Sequence, residues 1–201
     1  MTQTPTIPCP WLDAEDDNRA LALGLVAALR DLTLRDGRRI TSERILEVFP
    51  DLDSVPLEAP AIAVGRIAGR LTGQGLAAAI LQDDTGWVLV QDDDNVGEVD
   101  IICWAQTPED RSMLMQAVGS RLSSHGRGVR RIPFDVALPD YYPGSDAKAR
   151  LLYRGSRQED SEIEAMRRHR VGFQTFQFRM PSYRTEFVGQ ACVAPTVGVT
   201  R

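Results

Sequence analysis

The stretch VGEVDIICWAQ (Val96–Gln106), running straight into TPEDRSMLMQAVGSRLSS (Thr107–Ser124), decides how this chain is read. In its first half Val99, Ile101, Cys103 and Ala105 alternate with Glu98, Asp100, Ile102 and Trp104. Successive side chains of a strand point to opposite faces, so this spacing predicts a strand with one apolar and one mixed face. Thr107 then stands where a helix N-cap belongs, with Pro108 at the first helical position and Asp110 three residues after the cap. Beyond it Leu114, Met115, Val118 and Leu122 recur at the spacing of one helical face.

Around this strand–helix unit the chain has an ordinary soluble composition. Its 201 residues are 43% hydrophobic and 25% charged, which suits one domain with a proper core and excludes a fibrous or disordered class. The net charge is −5, and no stretch gathers enough Lys and Arg for a general nucleic-acid surface. The short clusters Arg127, Arg130 and Arg131, and Arg167, Arg168 and Arg170, read as solvated charge, the second at a helix end. Cys9, Cys103 and Cys192 are far apart and odd in number, which suits a reducing compartment and argues against a disulfide framework. The N-terminus lacks a basic region followed by an apolar run, and no apolar stretch approaches the roughly 20 residues that cross a bilayer. No signal peptide and no membrane partner are expected.

The proline-rich MTQTPTIPCP, with Pro5, Pro8 and Pro10, predicts an extended arm over residues 1–12. A single domain over 13–188 follows. Its first helix runs from about Ala14 to about Leu34, with Leu21, Leu25, Val26, Leu29 and Leu32 as its stripe, Asp13 as its cap and Asp36-Gly37 as its end. Ile40 to Phe49 reads as a short helix, and Ala61 to Ile67 as a strand. Trp87–Gln91 and Val96–Gln106 flank a run of turn residues, which predicts a hairpin with Asp92, Asp93 and Asp94 at its polar tip. Val129 to Leu138 is extended but held to an edge by Pro133 and Pro139. Ala149 to Arg154 is a strand. Glu159 to Arg170 shifts from acids to bases, as a short helix would. Gly172 to Met180 is a strand with Phe176, Phe178 and Met180 facing one way, closed by Pro181. Residues 189–201, with Pro195, Val197 and Gly198, have no period and predict a second extended arm. The expected class is α+β, a small mixed or antiparallel sheet flanked by two main helices, with arms at both ends.

Reactive chemistry is thinly represented. No HExxH, C-x-x-C or G-x-S-x-G is present. The glycine-rich Gly69–Gly75 lacks the Lys and hydroxyl of a phosphate loop, and Asp92–Asp94 fails as a calcium loop because Cys103 stands where the ligating Glu belongs. His125 sits in a glycine-rich turn and His169 among arginines. A Cys103–His125 pair would require Cys103 to leave an apolar strand face. Glu98 and Asp100 share a strand face beside the hairpin tip, where surface charge explains them better than acid and base. The expectation is no catalytic residue, no cofactor, no metal and no enzyme activity.

The motif VDIICWAQTPEDRSMLMQAVGSRLSS resembles the tail terminator, or tail-completion, proteins of tailed bacteriophages and related neck proteins. Those pair a strand ending in a D-V-x-x-W-A type run with a T-x-x-E/D-R-x-x-L helix, matched here by Asp100, Trp104, Ala105, Thr107, Asp110, Arg111 and Leu114. YYPGSDAKARLLYRGSRQED followed by VGFQTFQFRM is similar to their closing part, so the resemblance covers roughly Leu21 to Phe178. The arms have no counterpart. The resemblance implies a structural virion protein forming a ring, commonly hexameric, that caps the tail tube and joins it to the head. Its partners would be further copies of itself, the tail tube and the neck or connector proteins, with assembly in the host cytoplasm.

Proline-rich ends carrying Pro5, Pro8, Pro10, Pro195 and Val197 suit assembly by arm exchange. An acidic balance suits a lumen through which DNA slides without specific binding, with Asp92, Asp93 and Asp94 as the lumen-facing candidates. A head–tail adaptor or baseplate role fits the same pattern. Two other classes stay open: an enzyme with an unrecognised pocket, and a module that grips a peptide along an exposed strand edge.

Overall fold

The computed structural model describes residues 16–47, 59–73, 75, 77–125, 131–139, 141–142, 146–159 and 170–188. The two expected arms lie outside the described residues. So do the middle of the expected helix over Glu159–Arg170, whose two end residues close one strand and open the next, and His169.

The strand–helix unit forms as its sequence predicts. Strand β4 spans Trp87–Ala105 and helix α2 spans Pro108–Arg121. Thr107 caps α2, its Oγ1 accepting from the Asp110 N–H at 3.1 Å, and Leu114, Met115, Val118 and Leu122 are buried. Val99, Ile101, Cys103 and Ala105 are fully buried on the inner face. On the mixed face Glu98 is exposed and Asp100 half-buried, while Ile102 and Trp104 are buried.

The first helix, α1 (Asp17–Leu29), is shorter than expected. Asp16 rather than Asp13 caps it, accepting from the Arg19 N–H at 2.9 Å. It stops at Leu29, where Arg30 turns to ψ 145° and Asp31 takes φ 57°, and Arg121, from the last turn of α2, donates to the Ala28 carbonyl at 2.8 Å and satisfies one of the end groups. Leu32 is buried, but beyond the helix, and Asp36-Gly37 turns a small loop in which Thr33 and Arg39 pair, with Gly37 at φ 88°. The expected helix at Ile40–Phe49 is instead a 3-10 turn, Ser42–Arg44, followed by the two-residue strand β1, Ile45–Leu46.

The remaining strands are β2 (Ala61–Leu71), β3 (Ala78–Gln82), β5 (Ser124–His125), β6 (Arg131–Ile132), β7 (Phe134–Ala137), β8 (Lys148–Glu159) and β9 (Arg170–Phe187). The main sheet has seven strands in the order β1–β2–β4–β9–β8–β7, with β3 also paired to β4; β5 and β6 pair separately. Its pairs are antiparallel except β1 with β2. The sheet is therefore mixed, as expected, but not small. Both helices pack on one face, where Leu21, Leu25 and Leu29 of α1 meet Leu114 and Val118 of α2 over Ile62, Ile101, Phe176 and Phe178. A smaller cluster of Ala61, Ala63, Ile102, Trp104 and Val171 occupies the other face.

The sheet is large because polar segments that look like breaks are paired with each other. β4 and β9 run side by side from Trp87 opposite Phe187 to Ala105 opposite Arg170. Pro181, expected to close its strand, sits within β9 opposite Asp94. The last β8 partner along β9 is Arg179, and the Pro181 carbonyl, on that same outer edge, accepts from the Tyr141 hydroxyl at 3.0 Å. A strand residue's N–H and C=O point the same way, so proline omits a donor where no strand waits for one.

The expected hairpin tip is also displaced. β4 runs straight through Asp92, Asp93 and Asp94, and the turn joining β3 to β4 is Asp83-Asp84-Thr85-Gly86. There the Asp83 carboxylate accepts from the N–H groups of Thr85 and Trp87, and Gly86 takes φ 95°.

Candidate assembly surface

Past Leu71 on one side and Arg179 on the other, the sheet narrows to β3, β4 and β9. Register places Leu81 opposite Leu89, and Trp87 opposite Phe187. Because directly opposed residues share a face, and residues two apart on a strand do also, these four lie on one face of the narrow end. The rings of Trp87 and Phe187 meet edge to face at 5.3 Å. Leu81 is 38%, Phe187 40% and Val188 61% exposed. Val188 is tied back by its N–H to the Gly86 carbonyl at 3.0 Å. The end of the sheet is thus rigidly backed and apolar at its surface.

The three aspartates just behind it form no loop. Asp92 is the extra residue of a bulge, since Gln91 pairs with Tyr183 and Asp93 with the next residue, Ser182. Asp93 is buried. Its carboxylate accepts from the Thr72 hydroxyl and the N–H groups of Gly73 and Asp94, which hold it below the usual carboxylate range. Asp92 pairs with Arg184 at 3.1 Å, and Asp94 accepts from Arg179 Nε at 2.6 Å. The expected exposed acidic loop is replaced by one carboxylate that fastens the strand break and two that are neutralised by β9 arginines.

The candidate reactive groups are similarly engaged. Burial pushes the fully covered Cys103 thiol up to about 12. In the native protein iodoacetamide at pH 8 is expected to modify Cys103 at least about a hundredfold more slowly than in guanidinium, followed by peptide mass spectrometry. Rapid native labelling would mean that this face opens. Asp100 accepts from the Thr175 hydroxyl at 2.6 Å and lies 3.8 Å from Arg157, so it does not act with Glu98 as a free pair of carboxylates. Among the described residues no group of three or more His, Cys, Asp or Glu side chains is arranged to hold a metal, and no helix is long and apolar enough to cross a membrane.

Of the residues that carry the resemblance, Thr107 is exposed and Asp100 and Asp110 are half-buried, while the others lie in the interior of the strand–helix unit. Trp104, Ala105, Arg111 and Leu114 are buried, Arg111 donating to Gln158 Oε1 at 2.6 Å. Arg38 binds Asp110 and lowers its pKa. Two features were not read from the sequence: the apolar end at Leu81, Trp87 and Phe187, and Gln174, a buried amide beside α2. The alternation that sets Phe176, Phe178 and Met180 on one face puts Gln174 there too, and a polar residue on that face was the available signal.

No protein family model matches this sequence, and no curated protein matches it. A chain from a solved structure described as "Virion of native gene transfer agent (GTA) particle" superposes with a TM-score of 0.40 at 14% identity, covering 85% of this chain and 89% of that one. A likeness that distant leaves function to be argued from the residues themselves.

Proposed function

We propose that this protein is a structural subunit of a tailed-phage-like particle, a tail terminator whose copies form a ring that caps the tail tube and meets the neck, and that it performs no catalysis. One observation carries the reading: the longest strands of the sheet end in an apolar face where Leu81 and Phe187 are exposed beside the half-buried Trp87, a surface for contact rather than for chemistry. The motif of Asp100, Trp104, Thr107, Asp110, Arg111 and Leu114, which resembles terminators, supports it. Partners on this reading are further copies in a hexameric ring, the tail tube and the connector, with DNA passing unbound and assembly taking place in the host cytoplasm.

Native mass spectrometry and negative-stain microscopy test it. The expected result is one dominant hexameric ring and no monomer at micromolar concentration. Replacing Leu81 and Phe187 together by Ser should weaken self-association at least about tenfold, since each loses apolar contact worth on the order of 1.5–3 kcal/mol. The fold itself should persist, with an unchanged circular dichroism spectrum, because about two fifths of each side chain is already in water. A monomer at every concentration, or a double variant that associates like the parent, would falsify the reading.

A further inference from the structure

A groove of about 540 Å³ runs between α2 and the β8–β9 pair, lined by Ser112, Gln116, Gly119, Ser120, Ser156 and Gln174 among others. None of its described lining residues is charged. Gln174 is only 4% exposed, and its Nε2 donates to the Met115 carbonyl, which fixes how the amide faces. Its Oε1 is then a buried acceptor without a hydrogen-bond partner among the described residues. Buried acceptors are rarely left unmade, so this oxygen calls for a donor. Gly119 lies against the same amide and adds no side chain there; a Cβ would stand 3.4 Å from both Oε1 and Nε2.

An uncharged groove of hydroxyls and amides, with a waiting acceptor at its floor and Met115 and Tyr153 for apolar contact, offers no countercharge to a phosphate or nucleic acid. It suits a polypeptide backbone with small, uncharged side chains. Residues 189–201, GQACVAPTVGVTR, have that chemistry, with no charge before Arg201. Reach decides whose segment it is. β9 carries the chain about 45 Å away from Gln174 to Val188 at the usual strand rise. Residues 189–201 span at most about 45 Å when fully extended. Returning to the same chain's groove would use all of that length and leave nothing for the turn, whereas a neighbour's groove is accessible.

We propose that this groove binds residues 189–201 of a second copy as an extended segment, a main-chain N–H donating to Gln174 Oε1. The proposal rests on the reading of the protein as a self-assembling subunit.

The test uses the full chain with p-benzoylphenylalanine in place of Val197, assembled from equal parts of ¹⁴N and ¹⁵N protein. After irradiation, cross-linked peptides are identified by mass spectrometry. Val197 should cross-link to α2, β8 or the first half of β9, in mixed-isotope pairs. Ser120→Trp, at an exposed helix position lining the groove, should reduce that cross-link at least tenfold with an unchanged circular dichroism spectrum. Ser156→Trp on β8 is a second groove-filling variant, so that a folding defect in one leaves the other to decide. If the protein forms oligomers whose cross-links fall elsewhere, stay within one isotope, are absent, or persist in the groove-filled variants, this proposal fails while the subunit reading stands. A chain that remains monomeric overturns both.

Discussion

Gly97→Val is expected to abolish the native fold, and Gly97→Ala to destabilise it by at least about 3 kcal/mol. Gly97 lies directly opposite Gly69 in the β2–β4 ladder. A Cβ at Gly97 would stand 2.0 Å from the Ala68 carbonyl oxygen and 2.6 Å from the Gly69 Cα. Both obstacles are backbone of a neighbouring strand, so neither can swing aside as a side-chain tip does. β4 is also paired on its far side, Gly97 opposite Phe178, and cannot shift without opening the β9 ladder. From the other strand the obstacles are side chains, and a Cβ at Gly69 would meet Asn95 Oδ1 first. It would also come within 2.9 Å of the Phe178 ring, which fills the space the two glycines leave. Denaturant titration of the Ala variant and soluble yield of the Val variant measure this. An Ala variant within about 1 kcal/mol of the parent would show that the strands do not meet in this register.

Phe176→Ala should cost about 3–5 kcal/mol, the usual range for emptying a fully buried aromatic site. Phe176 has no exposed surface, lies opposite Val99 on β4 and Tyr153 on β8, and meets the Tyr153 ring edge to face at 5.4 Å. Both helices close over that face, so the cavity has little freedom to collapse. Phe173, three residues earlier on the opposite face, provides the contrast. It is half-buried, with the Arg157 guanidinium 4.3 Å above its ring. Phe173→Ala is expected to cost no more than about 2 kcal/mol, because the exposed side of that ring is already in water. Paired chemical denaturation curves decide the matter, and equal losses at the two positions would contradict the assignment of the faces.

That assignment was legible before any coordinates. Val99, Ile101 and Cys103, like Phe176 and Phe178, declare their face by a period of two that needs only neighbouring residues. Thr107, Pro108 and Asp110 declare the start of α2 for the same reason: the cap bond joins residues three apart. Where the partner is remote, the local signal misleads. Asp92–Asn95 has turn composition, yet its groups are met by Arg184, Arg179, Thr72 and Asp17, so the strand continues through it. Asp36-Gly37 resembles a helix end, yet α1 stops at Leu29, about five residues before the expected Leu34, where Arg121 reaches the Ala28 carbonyl. The true hairpin turn, Asp83 to Gly86, carried adequate turn chemistry and was outcompeted by a denser run of acids nearby.

The candidate contact surfaces follow the same division. Trp87 and Phe187 are brought together only by the register of β4 on β9, and the groove beside Gln174 only by the seating of α2 on β8 and β9. Alone, the sequence determined the α+β class, the strand–helix unit at its centre and which side chains face inward, because alternation and capping act over a few residues. The tertiary structure decided strand lengths, the size of the sheet, the neutralisation of the aspartates and the exposure of the apolar end, because each depends on groups that meet only after the chain has folded.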